Sequence, residues 1–154
     1  MSKDYRILVA IDLKTGTDRL LEEAQRYGQA LNATVDIIHV AAPDPYFVGY
    51  IKGDPGSEEN VDSGRDYHAK DLRLEHEQTQ AFATRLRATG TRVGQVLTVQ
   101  GPTLATVLEE TRKLNADLLI IGSHHHGAIH NLWFGDTAAD AAKQAPCALL
   151  VVPM

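Results

Sequence analysis

Short apolar runs alternate along the chain with longer stretches whose apolar residues recur every three or four positions. RILVAI (Arg6 to Ile11), VDIIHV (Val35 to Val40), VLTV (Val96 to Val99), LLII (Leu118 to Ile121) and ALLVV (Ala148 to Val152) read as five strands. Their near-continuous apolar character suits a sheet covered on both faces, as parallel strands with crossover helices produce. Thr17 to Leu31 places Leu20, Leu21, Ala24, Tyr27, Gly28 and Leu31 on one helical face, with Thr17 or Asp18 expected to cap its first N–H groups. Thr103 to Leu114 repeats the pattern with Leu104, Val107, Leu108 and Leu114, entered at Pro102. A short alanine-rich helix is expected over Thr137 to Lys143, between Gly135 and Pro146. Strands alternating with helices predict a single-domain, Rossmann-like α/β fold: an open parallel five-stranded sheet with helices on both faces.

The middle of the chain breaks this rhythm. Ala41 to Gly64 contains Pro43, Pro45, Pro55, Gly49, Gly53, Gly56 and Gly64 without a sustained period, and reads as a long loop. A lid over a neighbouring site and a mobile, unstapled segment are both compatible with it. Asp66 to Thr89 then carries Leu72, Phe82 and Leu86 among many charges, the pattern of a long helix with one largely solvated side.

Composition narrows the function classes. The 154 residues carry a net charge of −5, which offers no basic footprint for a nucleic acid. No apolar run approaches the roughly 20 residues of a membrane span, and the N-terminus MSKDYRILVA lacks a signal-peptide pattern. A cytoplasmic protein is expected. Cys147 is the sole cysteine, so neither an internal disulfide nor a C-x-x-C motif exists, and it is expected as a small buried residue before the last strand.

In open parallel sheets, ligands bind beyond the carboxyl ends of the strands, where the crossover direction reverses. Two stretches meet there: Ala10, Ile11 and Asp12 with the loop to Gly16, and Ile121 with the segment from Gly122 to Gly135. Asp12, directly after an apolar strand, is placed to accept a hydrogen bond from a ribose hydroxyl or a base amine; a loop or capping role is the competing reading. G-x-x-x-x-G-K-[ST] and G-x-G-x-x-G are both absent. What remains is Gly122, Gly127 and Gly135, with the helix beginning near Thr137, where glycine backbone and a helix N-terminus suit an anion without specifying one.

The strand RILVAID, the IIHV second strand, the DLLIIGS fourth strand and the closing APCALLVVP resemble the universal stress protein family over essentially the whole chain. The resemblance implies strand order 3-2-1-4-5, a homodimer formed through the C-terminal strand, and adenine contacts at Asp12 and the Val40 backbone. Members that bind ATP carry Gly, two residues, Gly, nine residues, then Gly followed by Ser or Thr. Here these positions are Gly122, His125, Gly135 and Asp136, so two of the four have changed. The His125 side chain takes room through which backbone would close on phosphate. Asp136 sets a carboxylate where a terminal phosphate would lie, and two like charges at about 4 Å repel by roughly 1 kcal/mol even in water. The paired histidines also resemble the branch similar to universal stress protein A, which dimerises without binding ATP.

The run His124 to His126 is internal, so it is no terminal tag. In an extended chain His124 and His126 share a side and His125 does not, which leaves too few ligands for a closed tetrahedral metal site even with His130 added. Ser123 lacks the G-x-S-x-G of a nucleophile elbow. The expectation is a cytoplasmic, dimeric regulatory or protective module rather than an enzyme, acting through an unidentified protein partner, with weak or lost triphosphate binding and no certain cofactor. An adenine-nucleotide sensor binding AMP, or ATP with Mg, is the alternative, and a slow ATP hydrolase the third reading. Candidate contacts are Ala10, Asp12, Val40, Ile121, Gly122, His125, Gly127, Gly135, Asp136 and Thr137.

Overall fold

The computed structural model describes residues 3–13, 16–41, 58–123 and 135–154. Five strands, β1 (Arg6–Ile11), β2 (Thr34–Ala41), β3 (Val93–Gln100), β4 (Leu118–Ser123) and β5 (Ala148–Pro153), form one sheet in the order β3-β2-β1-β4-β5. Every neighbouring pair is parallel. The helices are α1 (Thr17–Ala30), α2 (Glu58–Ala88), α3 (Thr103–Lys113) and α4 (Gly135–Gln144).

Alternation along the strands divides the core in two. Ile7, Val9 and Ile11 of β1, with Val35 and Ile37 of β2, pack under Leu20, Leu21 and Ala24 of α1 and Phe82, Ala83 and Leu86 of α2. Leu8, Ala10, Ile38, Leu119 and Ile121 pack on the other face with Val107 and Leu108 of α3 and Ala141 of α4. Burial of each large aliphatic side chain contributes about 1.5–3 kcal/mol, and Ile7, Leu8, Ile37, Ile38, Leu119, Ile120 and Ile121 are all fully enclosed. The three central strands therefore read as apolar runs because neither of their faces meets water.

The amino ends of the strands are clamped by charge. Asp36, fully buried, accepts from Arg6 Nε at 3.0 Å and Nη2 at 2.8 Å, and from the Gln95 backbone N–H at 2.7 Å. A buried carboxylate is tolerable only when satisfied in this way. Asp117 likewise accepts from Lys3 Nζ and the Arg6 N–H, tying the entry of β4 to that of β1.

Several local expectations are corrected. α2 begins at Glu58, so 58–64 belong to a helix and not to the loop expected over Ala41 to Gly64; residues 42–57 lie outside the described ones. Gly64 sits within this 31-residue helix, where a glycine costs about 1 kcal/mol relative to alanine without breaking it. The N-cap of α1 is Gly16 rather than Thr17 or Asp18, and the Asp18 carboxylate instead meets Arg85 of α2 at 2.6 Å. Leu31 is the C-cap and 42% exposed, because the helix ends before it can turn inward. Cys147 is half-buried, not enclosed; burial first and the Asp117 charge second push its thiol above the ordinary value, with a backbone hydrogen bond from Leu119 opposing.

Candidate functional site

β1 lies between β2 and β4, and the helices that follow β1 and β4, α1 and α4, pack on opposite faces of the sheet, so the winding reverses over the carboxyl ends of these two strands, where such sheets have their crevice. Ala10 and Ile121 are buried at its base, and Asp12 follows β1 at the rim, half-buried. Val40, half-buried near the end of β2, stands opposite Val99 of β3. Gly122 is buried in β4 opposite Val152. Gly135, Asp136 and Thr137 form the first turn of α4, whose N-terminus lies on the same side of the sheet because α4 leads from the end of β4 back to the start of β5. His125 and Gly127 lie outside the described residues, as do the rest of the run His124 to His126 and His130.

The turn after β1 is built from unusual backbone. Leu13 has φ 62° and Gly16 φ 98°. The left-handed region costs a residue with a Cβ roughly 1–2 kcal/mol, so Leu13 holds a strained position at the crevice. Gly122 is different, being extended strand. Its missing side chain leaves room for Met154, whose N–H donates to the Ser123 carbonyl at 2.9 Å and whose side chain lies over both glycines. A Cβ at Gly122 would come within 2.9 Å of Met154 Cγ, and one at Gly16 within 2.5 Å of its Cε. Gly122 thus has a packing reason to be glycine, separate from any approach to an anion.

His39 was not singled out by sequence. It sits one residue before Val40, 7% exposed, with Nδ1 3.0 Å from the Ile11 carbonyl and Nε2 2.7 Å from Glu75 Oε2 on α2. The signal was a polar residue inside an otherwise apolar strand, which must find partners; Glu75, 36 residues on, could not be paired with it from periodicity. Next to it on α2, His76 bonds the Thr98 hydroxyl of β3. A groove of about 410 Å³ runs from Leu13 and Gly16 between the first turn of α1 and Phe82 and Arg85 of α2. Among the described residues no group of three or more His, Cys, Asp or Glu side chains could hold a metal ion.

A parallel, doubly wound sheet with helices on both faces defines the Rossmann-like class of α/β proteins. Residues 5–153 match the model of the universal stress protein family, and the chain belongs to that family. It is 28% identical over 148 residues to universal stress protein A homolog 1 of Coxiella burnetii, covering 96% of this chain and 95% of that one. Among solved structures it is similar to a universal stress protein in complex with cAMP, with TM-score 0.65, 18% identity, and 99% and 98% of the two chains covered. It is also similar to an Arabidopsis thaliana family member with AMP bound, with TM-score 0.58, 15% identity, and 97% and 91% covered.

Proposed function

We propose that this chain is a regulatory adenine-nucleotide binder of the stress response, a cytoplasmic homodimer that takes a nucleoside monophosphate in the crevice over β1 and β4 and disfavours the triphosphate. The observation that carries this reading is the convergence of Asp12, the Val40 backbone and the N-terminus of α4 on one edge of the sheet. A carboxylate acceptor at one end and a helix N-terminus at the other match a base or ribose donor and an anion. Similar folds that hold cAMP and AMP bring the sensor reading ahead of a dimer acting without nucleotide.

Asp136 in the first turn of α4 is the reason for preferring one phosphate to three, since its charge opposes further negative charge at that helix end. ATP hydrolysis has the least support, because Asp12 is read as a base or ribose contact and Asp136 as opposing the triphosphate, which assigns no residue to activate an attacking water. Mass spectrometry of ligand released from freshly purified protein, followed by calorimetric titration with AMP, tests the reading. Asp12→Ala should weaken AMP by about one to two orders of magnitude, the 1.5–3 kcal/mol of a hydrogen bond to a charged group. Unchanged affinity would remove Asp12 from the site.

A further inference from the structure

The two bonds of His39 fix where its hydrogens lie. A carbonyl only accepts, so Nδ1 must carry the hydrogen it shares with the Ile11 oxygen. At 2.7 Å the Nε2 lone pair cannot face a bare carboxylate oxygen, so one hydrogen shared between Nε2 and Glu75 Oε2 closes the contact. The His39 side chain is 9% exposed and that of Glu75 35%, so the pair is held largely out of water.

This pair acts on a particular peptide group. The Ile11 carbonyl is bonded to the nitrogen of Asp12, so the ring fixes the plane of the Ile11–Asp12 peptide just before the chain turns through Leu13 at φ 62°. Asp12 leaves the sheet in a direction set by that plane. Glu75 belongs to α2, which connects this peptide to the helix packed across β2 and β3. Thr98, opposite His39 on β3, is uncharged, and Asp18 on the first turn of α1 is already taken by Arg85.

We propose that His39 is a positioning residue of the crevice: held between the Ile11 carbonyl and the Glu75 side chain, it fixes the peptide that aims Asp12 at the ligand. It rests on the reading that Asp12 contacts the nucleotide, but its structural part is read in the protein without ligand. Long-range proton–nitrogen spectra of histidine-labelled protein should show the His39 ring protonated at Nδ1. In Glu75→Gln, whose amide can donate to Nε2, the Nδ1 hydrogen should be retained and the Asp12 amide resonance should stay near its wild-type position. In Glu75→Ala and in His39→Leu the Asp12 amide resonance should move, and AMP affinity should fall about 5–10-fold, with Glu75→Gln within about twofold of wild type. A wild-type ring bare at Nδ1, or an Asp12 amide unmoved in folded Glu75→Ala, would overturn the positioning role. Should wild type bind no AMP while the Asp12 amide moves as expected, the nucleotide reading fails and the positioning of Asp12 stands.

Discussion

Gly122 shows how one residue can satisfy a motif and a packing demand at once. As the first glycine of a phosphate signature it would be expected to bring backbone near an anion, yet its immediate neighbour is the Met154 side chain. Gly122→Ala places a methyl group about 2.9 Å from Met154 Cγ, and overpacking of this kind costs about 1–3 kcal/mol. Denaturant unfolding should show that loss, and Met154→Ala in the same chain should recover most of it. Two losses that simply add would contradict the packing account. Asp117 carries a second residue-scale prediction. The Lys3 ammonium first and the Arg6 N–H second hold its carboxyl below the ordinary value, with burial opposing. A carboxyl whose folded value is depressed adds stability that is fully present above its unfolded value near 3.9 and is lost as pH falls through the folded one. Asp117→Asn should therefore be less stable at neutral pH and lose less on acidification below about pH 4. An acid limb identical to that of wild type, followed by circular dichroism, would show that this contact adds nothing.

At the scale of elements, the strands were legible because their apolar runs are short, β-branched and bounded, and all five were located to within a few residues of their observed ends. The start of α2 was not, because Gly64 and the polar residues around it carry a turn signal that a long helix can absorb at modest cost. The capping of α1 was misjudged for a different reason: Thr17 and Asp18 are good caps locally, but the positive φ of Gly16 set the helix start and a residue of α2 claimed the Asp18 carboxylate. Such contacts join positions far apart in the chain and leave no periodic trace. β5 raises its own prediction. It hydrogen-bonds to β4 on one side, carries no charged residue and leaves Val151 37% exposed. An apolar, uncharged edge is a template for pairing with a second strand, which in the proposed homodimer would come from a second copy of this chain. Val151→Lys should turn the dimer into a monomer in light scattering while leaving the circular dichroism spectrum intact. A dimer that persists with lysine at 151 would place the interface elsewhere.

For the whole molecule, fold and family were readable over nearly the full chain, while the crevice was readable only as a place. Topology alone brings Ala10, Asp12, Val40, Ile121 and Gly122 to one edge, and the apolar runs specify that topology. What the sequence could not supply was the set of contacts around them: the His39 bridge to Glu75 and the seat of Met154 depend on side chains 36 and 32 positions away from their partners. The central claim is that the crevice accepts an adenine monophosphate and resists the triphosphate because His125 and Asp136 stand where the ATP-binding pattern has glycine and a hydroxyl. Titration calorimetry with magnesium, using AMP and ATP on wild type and on the double variant His125→Gly with Asp136→Ser, addresses it directly. Wild type should bind AMP more tightly than ATP, and the double variant should gain about one and a half to three orders of magnitude for ATP with little change for AMP, as relief of about 2–4 kcal/mol at the terminal phosphate requires. Wild type binding ATP as tightly as the double variant does would contradict the claim.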